Sequence, residues 1–409
     1  ASLTVTIEDA EKCLRYSGAL VRGVKVGESP LWLKEALESV GQRSINNIVD
    51  AANYVMLNIG QPLHAFDAGK LTQKNDVYAI GVRNANEGEK ITTLSGDEMT
   101  LSSSMLLITD AHTDAGIGIA GIKGGKIAEV TTATTDIILE SANFDGTTIR
   151  RTAQKLKRLR DASQRFQNRP SPDLVAYGMR DVIALITEVA GGEVVSVTDE
   201  YPAKPVAIST SNTFSRINGL LGSDFSHEEI TSVFRRLNLE TTVDGDTVTV
   251  TSPFERTDLT IPEDLTEEVG RILGYDRVPA TELAPISGTP DQKRFKGIER
   301  MKDQLVEQGF IEVSTQSFVK KGDVLLANPL DKTRPMLRTS LEQNLNDARS
   351  QAVHYAPLVL PSNVKPKLFE VGTVFMKDGE HVELRMTERV PEWGESVGTV
   401  DNLTVANME

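Results

Sequence analysis

The sequence predicts a multidomain protein of mixed α+β and α/β class. Its 409 residues suffice for roughly two to four domains of ordinary size. Runs with the alternating or apolar character of strands and runs with apolar residues at helical spacing follow one another along the chain. Two proline-containing stretches, 199–205 and 280–292, are typical of linkers. We therefore expect three domains, over residues 1–201, 207–279 and 290–409.

The first segment, 1–201, predicts an α+β domain. We expect its strands over 3–7, 76–82, 105–109, 115–120 and 136–140. We expect its helices over 30–39, 45–59, 147–158 and 174–189. The helix over 45–59 is predicted to end at Gly60 and Pro62, because glycine accepts left-handed backbone angles and proline cannot continue a helix.

The other two segments predict a small winged-helix-like module and a third α/β domain. In 207–279, we expect a helix over 226–237 that opens with a capping box, a hairpin turn at Asp244-Gly245 and a helix over 262–273. In 290–409, we expect a helix over 293–309, a strand over 311–318, a helix over 340–355 and a hairpin at Asp378-Gly379.

Composition excludes several classes of protein. The chain is 39% hydrophobic and 25% charged and has no apolar run of about 18 residues, so no membrane span is expected. Its single cysteine, Cys13, excludes a disulfide framework and fits a reducing cytoplasm. The net charge of −14 disfavours nonspecific binding of nucleic acid by the whole chain. Because the first residue is Ala1, we expect a fragment of a longer protein.

One stretch departs from this acidic balance. Between residues 150 and 169 the only acid is Asp161, and the basic residues are Arg150, Arg151, Lys155, Lys157, Arg158, Arg160, Arg165 and Arg169. The run has two interpretations of similar weight, a solvated helix face or a local binding surface for phosphates.

Residues 46–67 are the most informative stretch. An amphipathic helix carries Asn53 beside its apolar stripe, and His64 follows shortly after the Gly60-Gln-Pro62 turn. Among apolar neighbours, polar side chains such as Asn53 and His64 either form hydrogen bonds within the protein or bind a ligand. On spacing alone, a histidine that is hydrogen-bonded within the protein is the commoner outcome.

Carboxylates cluster at Asp258, Asp264, Glu267 and Glu268, the last three at i, i+3 and i+4 near a helix start. Like charges this close repel unless a cation neutralises them, and oxygen ligands without His or Cys suit Mg²⁺. The alternative is a set of solvated acids that stabilise the helix dipole.

Glu140 closes the apolar run 136–140, and a carboxylate at a strand end is a common but weak sign of a site. The glycines between 118 and 125 do not form a nucleotide-binding fingerprint. We expect them to allow a ligand or a neighbouring strand to approach the backbone closely.

Several motifs together resemble the bacterial phenylalanyl-tRNA synthetase β-subunit family, and the likeness covers nearly the whole chain. The most specific lie at 53–67 and 258–275. The motifs are Cys13-Leu-Arg-Tyr16, Val49-Asp50, Asn53-Tyr54-Val55, Gly60-Gln-Pro-Leu-His-Ala-Phe-Asp67, Leu139-Glu-Ser-Ala142, Arg216-Ile-Asn-Gly-Leu-Leu-Gly222, Glu267-Glu-Val-x-Arg-Ile-x-Gly-Tyr275 and Leu368-Phe-Glu-Val-Gly-x-Val-Phe375.

The resemblance implies an editing domain of B3/B4 type, a B5-type middle domain and a degenerate class II synthetase core with an antiparallel sheet. It implies an α subunit partner in an α2β2 heterotetramer, tRNA(Phe) as RNA partner, ATP used by the complex, and a cytoplasmic location. Residues 365–370 occupy the motif 2 strand without its ATP-gripping Arg, and no glycine-rich motif 3 follows. The core is therefore expected to pair with the α subunit rather than activate phenylalanine.

The resemblance also implies roles for particular residues. It places Asn53, His64 and Glu140 in the catalytic part of an editing pocket that hydrolyses tyrosine wrongly esterified to tRNA(Phe). Gly124, Ala162 and Arg160 fall at substrate-binding positions. The implied Mg²⁺ ligands, at a site shared with the α subunit, are Asp258, Asp264, Glu267 and Glu268. An editing pocket with polar groups, separate from the pocket used for aminoacylation, would select tyrosine because phenylalanine would leave those polar groups without hydrogen-bond partners.

This chain departs from the family pattern around the implied pocket. Ala52 and Arg160 stand at usual threonine positions, Gln167 begins a changed segment and Lys123 replaces an apolar residue. Arg160 is long enough to fill the pocket or to bind the tRNA end. Three hypotheses result: an editing β subunit, a β subunit that serves as a non-editing scaffold, and a nucleic-acid-binding protein that uses the 207–279 module and the basic run.

Overall fold

The computed structural model describes residues 1–288, 290–361, 364–388 and 397–399. The chain forms two compact units, Ala1–Thr281 and Glu282–Glu409. The boundary between the units falls within the predicted linker 280–292, of which residue 289 lies outside the described residues. Residues 362–363, 389–396 and 400–409 of the predicted third segment also lie outside them. The division of the first unit into 1–201 and 207–279 stays a prediction.

The first unit begins with an α+β part that extends to Glu200. Its helices are Leu31–Ser39 (α1), Asn47–Ile59 (α2), Gly146–Leu156 (α3), Asp161–Gln167 (α4) and Leu174–Ala190 (α5). Its strands are Ser2–Ile7 (β1), Cys13–Arg22 (β2), Leu63–Asp67 (β3), Gln73–Lys74 (β4), Val77–Asn84 (β5), Lys90–Thr92 (β6), Glu98–Thr100 (β7), Leu106–Asp110 (β8), Ala115–Ile119 (β9), Lys123–Gly124 (β10), Asp136–Phe144 (β11) and Glu193–Glu200 (β12).

Two sheets organise this part. One is antiparallel, in the order β12-β2-β11-β3. The other has the order β1-β5-β8-β9-β10 with β4 on β5, and its β1–β5 pair is parallel. A separate hairpin joins β6 and β7. The four-stranded sheet is the one that places the candidate site, because it brings β3 directly beside β11.

The central strands of the four-stranded sheet, β2 and β11, are buried on both faces. Alternate residues of β2 and β11, such as Leu20 and Ile138, belong to a core shared with the six-stranded sheet. The intervening residues, such as Ala19 and Leu139, pack in a second core with residues of α2 and α5. The result is three layers, with the sheet that carries the candidate site in the middle.

Helix α2 confirms the predicted amphipathic helix and its end. The side chain of Asn46 caps its start by accepting from the main-chain N–H groups of Ile48 and Val49 at 3.1 and 2.9 Å. Gly60 ends it in the left-handed region at a φ of 86°. The chain then turns at once into β3, which carries His64.

The structure corrects several expected elements. Strands β2, β3 and β12 were not expected, and β12 runs into the predicted linker 199–205. Strand β11 continues to Phe144, so Glu140 lies in mid-strand and not at a strand end. The helix expected over 147–158 ends at Leu156, and α4 forms a separate short helix within the basic run.

The remainder of the first unit confirms the small module of helices and a hairpin. Its helices are Phe214–Leu221 (α6), His227–Arg236 (α7) and Pro262–Leu273 (α8), and its strands are Ser209–Thr213 (β13), Glu240–Asp244 (β14) and Thr247–Thr251 (β15). The strands form an antiparallel sheet in the order β13-β15-β14. Its apolar core is distinct from the two cores of the α+β part.

The second unit contains the expected helices and hairpin. Its helices are Lys293–Glu307 (α9) and Glu342–Tyr355 (α10), and its strands are Phe310–Glu312 (β16), Phe318–Val319 (β17), Val324–Leu325 (β18), Met336–Leu337 (β19), Lys367–Met376 (β20), Gly379–Met386 (β21) and Val397–Thr399 (β22). The main sheet, β16-β20-β21-β22, is antiparallel except that β16 joins β20 in parallel. The single strand expected over 311–318 is wrong, because the chain forms the short strands β16 and β17 there instead.

No helix in the described ranges is both long enough and apolar enough to cross a membrane.

Candidate functional site

A cavity of about 90 Å³ opens beside the middle sheet of the first unit. Strands β3, β9, β10 and β11 and helix α4 contribute to its wall. The lining residues are mostly apolar or glycine, with three ionisable side chains among them: Pro62, Leu63, His64, Phe66, Ile108, Gly118, Ile119, Gly121, Ile122, Lys123, Gly124, Glu140, Ala162 and Phe166. Such a concave apolar site with a few polar groups is typical of small-ligand binding.

The sheet register brings two of the predicted site residues together. Glu140 on β11 is directly opposite His64 on β3 in the antiparallel pair. Directly opposed side chains project to the same face of a sheet and lie about 5 Å apart at their Cβ atoms. The prediction that both residues contribute to one pocket is thereby given a geometric basis, while their catalytic roles stay a prediction.

Glu140 has a specific buried partner. The hydroxyl of Tyr16, on β2, donates a hydrogen bond of 2.8 Å to Oε2 of Glu140. Tyr16 is fully buried and Glu140 is 7% exposed. Burial raises the pKa of Glu140 to about 7, and the hydrogen bond from Tyr16 opposes this rise. The carboxyl group therefore changes protonation near neutral pH, which is a property of catalytic and binding groups.

His64 is neutral at physiological pH. Desolvation by the surrounding protein lowers the pKa of its imidazole to about 4. The ring packs edge-on against Phe66, with 4.7 Å between the ring centroids. Within the described residues its ring nitrogens have no hydrogen-bond partner. A neutral imidazole beside a carboxyl group can donate one hydrogen bond to a ligand and accept another.

Glycine forms the wall opposite these side chains. A Cβ atom on Gly124 would lie 2.6 Å from Nε2 of His64, and one on Gly121 would lie 2.8 Å from Phe166. Gly121 also has a φ of 65°, which side chains rarely adopt. A Cβ atom on Gly125 would lie 2.7 Å from the carbonyl oxygen of Ile117. The expected close approach of a neighbouring strand is confirmed at Gly125, and the close approach of a ligand at these glycines stays a prediction.

The other predicted pocket residues occupy different places. Ala162, on α4, is part of the lining. Asn53 is half-buried on α2 and is not part of the lining, and Ala52 lies in the core beneath α2 and α5. Arg160 is exposed immediately before α4. The side-chain nitrogen of Gln167 is buried and has no hydrogen-bond partner in the part of the chain that the structure describes. The structure thus unites His64, Gly124, Glu140 and Ala162, while the roles of Asn53 and Arg160 stay predictions.

The predicted metal ligands are engaged by other groups. Oδ2 of Asp258 and Oε1 of Glu268 both accept from Arg256, at 2.7 and 2.9 Å. Arg271 forms a second ion pair with Glu268. Although burial alone would raise the pKa of Glu268, the hydrogen bonds from Arg271 and Arg256 lower it overall.

The remaining two carboxylates do not join that cluster. Oδ2 of Asp264 accepts from the main-chain N–H groups of Thr260 and Ile261, both at 2.8 Å, and so closes the start of α8. Glu267 is exposed. No group of three or more acidic, histidine or cysteine side chains in the described ranges is arranged to hold a metal ion. The residue types suit Mg²⁺, but this arrangement does not fit the ion without movement of the two arginines.

Sequence reasoning missed the buried polar groups that build the site. Tyr16 appeared only inside the motif Cys13-Leu-Arg-Tyr16, which gave no sign of its hydrogen-bond partner. Asn47, not Asn53, is the deeply buried asparagine of α2, at 3% exposure, and it donates to the carbonyl oxygens of Lys25 and Val189. The signal available in the sequence was the position of Asn47, a polar residue on the buried face of α2.

Three family descriptions match successive parts of the chain. The B3/4 domain matches residues 12–191, the tRNA synthetase B5 domain matches residues 211–275, and the phenylalanyl tRNA synthetase beta chain CLM domain matches residues 278–391. The cavity lies wholly within the first match. Together the matches define the class of protein as an aminoacyl-tRNA synthetase chain.

Curated relatives agree with this class. The phenylalanine–tRNA ligase beta subunit of Geobacter sulfurreducens is 38% identical over 399 residues, which cover 93% of this chain and 48% of the relative. The corresponding subunit of Clostridium acetobutylicum is 36% identical over 416 residues, covering 98% of this chain and 51% of the relative. The chain therefore belongs to the phenylalanyl-tRNA synthetase β-subunit family and spans about half the length of the relatives it matches.

A solved N-terminal fragment of the phenylalanyl-tRNA synthetase beta-subunit from Pyrococcus horikoshii is 16% identical, with a TM-score of 0.32, over 66% of this chain and 73% of that one. That TM-score is too low to support a conclusion about this chain.

Proposed function

We propose that this chain hydrolyses tyrosine that has been esterified to tRNA(Phe), using the cavity between His64 and Glu140. The observation that supports this most is the buried Tyr16–Glu140 hydrogen bond of 2.8 Å, which holds an ionisable carboxyl group against a mostly apolar cavity. A phenol differs from a phenyl ring by one hydroxyl group. A buried carboxylate and a neutral imidazole can hydrogen-bond that hydroxyl and so distinguish the two.

The selectivity follows from the cost of unpaired buried groups. A bound phenylalanine ring would desolvate Glu140 and His64 without giving either a partner, which costs about 1–3 kcal/mol for each group. Tyrosine supplies a hydroxyl that donates to the carboxylate of Glu140 and accepts from His64. Ala162 has only a methyl group at the cavity wall, which leaves room for the ring.

The hydrolytic step needs no covalent intermediate on the protein. Among the described lining residues, none has a hydroxyl or thiol side chain. Water adds to the ester carbonyl carbon, the bond between that carbon and the ribose oxygen breaks, and a proton passes to the leaving oxygen. In this account the cavity side chains bind and orient the aminoacyl group, and the close-fitting backbone at Gly124 keeps it in place.

We further propose that the chain works within a complete β subunit that supports aminoacylation of tRNA(Phe) by an α subunit. Family membership supports an α2β2 assembly, the use of ATP and Mg²⁺ by that assembly, and a cytoplasmic location. Asp258, Asp264, Glu267 and Glu268 remain the proposed Mg²⁺ ligands, at a site shared with the α subunit. Binding there would require Arg256 to release Asp258 and Glu268, and Arg271 to release Glu268. The chain alone should form no phenylalanyl-adenylate.

A scaffold role without editing is the second candidate. It is favoured by the basic side chains Lys123 and Arg160 at positions where the family pattern has smaller or apolar residues. In that case the cavity would have no hydrolytic activity, and the role of the chain would be to bind the α subunit.

The test is deacylation of tyrosyl-tRNA(Phe) by this chain combined with the α subunit. We expect hydrolysis above the spontaneous rate, and a loss of at least about tenfold in Glu140→Gln, the change expected when a charged hydrogen bond is removed. Glu129→Gln, an exchange of the same type at a carboxylate outside the cavity lining, is the control. Hydrolysis unaffected by Glu140→Gln would reject the proposed pocket, and spontaneous-rate hydrolysis by the unaltered protein would favour the scaffold.

A further inference from the structure

We propose that Lys123, Arg158 and Arg160, which we call the cationic rim, bind phosphodiester groups at the 3′ end of the RNA whose aminoacyl ester enters the cavity. The inference rests on the proposed function, because it extends the substrate of the same site from the amino acid to the adjoining nucleotides.

Lys123 joins the rim to the cavity. It lies on β10, next to Gly124, and is part of the cavity lining. Its ammonium group donates to the hydroxyl of Ser95, and within the described residues it has no carboxylate in an ion pair. A half-buried cation with a single hydroxyl partner retains two N–H donors for a ligand.

Arg158 is connected to Lys123 through two further side chains. The hydroxyl of Ser95 donates to Oδ2 of Asp97 at 2.8 Å, and the same oxygen accepts from Arg158 at 2.8 Å. Among the described residues, the buried Nε atom of Arg158 has no hydrogen-bond partner. Asp97 therefore pairs directly with Arg158 and is linked to Lys123 only through the hydroxyl of Ser95.

Arg160 adds a third positive charge beside the cavity. It precedes α4 by one residue and Ala162 by two, and Ala162 lines the cavity. Its guanidinium group is exposed, and it makes no ion pair or hydrogen bond with any described residue. The neighbouring carboxylate, Asp161, accepts instead from the amide of Gln42 at 2.8 Å.

The rim carries more positive charge than its surroundings neutralise. Among the described residues, the ion pair of Arg158 with Asp97 is the only one that these three cations make, in a chain whose net charge is −14. Burial, together with the positive charges of Arg160 and Arg158, lowers the pKa of Lys123. Cations held together in this way repel one another until an anion neutralises them.

Phosphodiesters are the anions that fit this position. An aminoacyl ester in the cavity is attached to a terminal ribose, and the nearest phosphate of the RNA is the phosphodiester on the 5′ oxygen of that same ribose. Arginine and lysine contact phosphates through charge-assisted hydrogen bonds that are strong and salt-dependent. The cavity and the rim together then form one site, apolar for the aminoacyl side chain and cationic for the nucleotides.

The test compares two tyrosyl esters that differ in phosphate content. One is tyrosyl-adenosine, which has no phosphate, and the other is the tyrosyl ester of the trinucleotide cytidyl-cytidyl-adenosine, which has two. The variants are Lys123→Gln and Arg160→Gln in the full chain. Arg151→Gln is the charge-matched control, since Arg151 is exposed on α3 and outside the cavity lining.

We expect each rim variant to raise the KM for the trinucleotide ester about tenfold, as the loss of one charged hydrogen bond predicts. The KM for tyrosyl-adenosine should change much less than the KM for the trinucleotide ester, and the control should behave as the unaltered chain. The dependence of KM on salt should also become weaker in the variants. Equal effects on the two esters, or no effect on either, would overturn the proposal.

Failure of the proposed function has a different signature. If the unaltered chain hydrolyses neither ester, the cavity is not an esterase, and binding of unacylated cytidyl-cytidyl-adenosine, measured by fluorescence anisotropy, tests the rim by itself. Weaker binding in the rim variants than in Arg151→Gln would support the rim. Binding that is absent, or equal in all variants, would overturn it.

Discussion

The hydroxyl group of Tyr16 donates a hydrogen bond of 2.8 Å to Oε2 of Glu140, and both side chains lie in the interior of the middle sheet. Tyr16 and Glu140 come from the neighbouring strands β2 and β11, so the contact is fixed by sheet register and not by a loop. It leaves one oxygen of the carboxylate for a ligand in the cavity.

This relationship predicts a change in pH dependence in Tyr16→Phe. The hydrogen bond from Tyr16 lowers the pKa of Glu140 against the rise to about 7 caused by burial, so its removal should raise that pKa further. If the carboxylate form of Glu140 binds the substrate hydroxyl, kcat/KM for the tyrosyl ester rises with pH through about 7 in the unaltered chain. The midpoint should move upward in Tyr16→Phe and the rise should vanish in Glu140→Gln, both after subtraction of spontaneous hydrolysis. An unchanged midpoint in Tyr16→Phe would show that Tyr16 does not influence the protonation of Glu140.

A second prediction concerns the glycine wall. Gly124→Ala would place a methyl group 2.6 Å from Nε2 of His64 and 3.1 Å from Leu94, so His64 or strand β10 must shift. We expect the rate of tyrosyl ester hydrolysis to fall at least about tenfold, since displacement of about 1 Å at a site has effects of this size or larger. Gly118→Ala is the control, because its methyl group on the same cavity wall would meet no atom closer than 3.7 Å. Equal losses in the two variants would contradict the close packing at His64.

The ion pairs of Glu268 predict a loss of stability in Glu268→Gln. This carboxylate is 5% exposed and is shared by Arg256 and Arg271, so its neutralisation should cost about 1–3 kcal/mol. Because the pKa of Glu268 is lowered in the folded state, its contribution is present above the unfolded pKa and is lost as pH falls through the folded value. Denaturant unfolding at pH 7 and at progressively lower pH measures both effects.

The exposed neighbour Glu267 provides the matched control for that experiment. Glu267→Gln changes the same chemical group one residue away and should alter the free energy of unfolding by less than about 0.5 kcal/mol. A penalty for Glu268→Gln that does not shrink at low pH would show that the ion pairs are not its cause.

The second unit contains a buried ion pair whose disruption should lower the stability of that unit by a predictable amount. Arg338 and Glu370 are joined at 2.8 Å, and their side chains are 5% and 2% exposed. Glu370→Ala would leave the guanidinium group buried without its carboxylate, which typically costs about 3–5 kcal/mol. Hydrogen exchange of the segment Lys367–Met376 reports the stability of this unit separately from the first.

An exposed ion pair of the same unit is the comparison. Glu312→Ala removes one of the two carboxylate partners of Lys302, also at 2.8 Å, but the Glu312 side chain is 42% exposed and Glu299 remains paired with Lys302. Its effect should stay below about 1 kcal/mol. Similar protection losses in Glu312→Ala and Glu370→Ala would show that burial does not decide the strength of these pairs.

Helices with one apolar face were predictable from the sequence, and strands buried on both faces were not. Helix α2 has an apolar stripe, a capping Asn46 and a terminal Gly60, and each of these is a local signal. Strand β2 lies between two neighbouring strands and between two cores, so its burial follows no alternation. The same absence of alternation concealed the length of β11 and the mid-strand position of Glu140.

Site residues were predictable where they belong to a local motif, and their partners were not. His64 and Gly124 are recognisable within short motifs, whereas the contact of Glu140 with Tyr16 joins residues 124 positions apart. The carboxylates in and just before α8 illustrate a local pattern that was recognised but whose partner in the structure was not predicted. Their spacing predicts a shared cation, but Arg256, which precedes the helix, neutralises Asp258 and Glu268 in the structure.

The most direct test of the central claim is the ratio of kcat/KM for the tyrosyl and phenylalanyl esters of tRNA(Phe), measured with this chain and the α subunit. Because a site that hydrogen-bonds a hydroxyl group strongly rejects the analogue lacking it, we predict a preference for the tyrosyl ester of about a hundredfold or more. The preference should fall towards unity in Glu140→Ala. Equal hydrolysis of the two esters by the unaltered protein would contradict the account of His64 and Glu140 as a tyrosine-selecting pair.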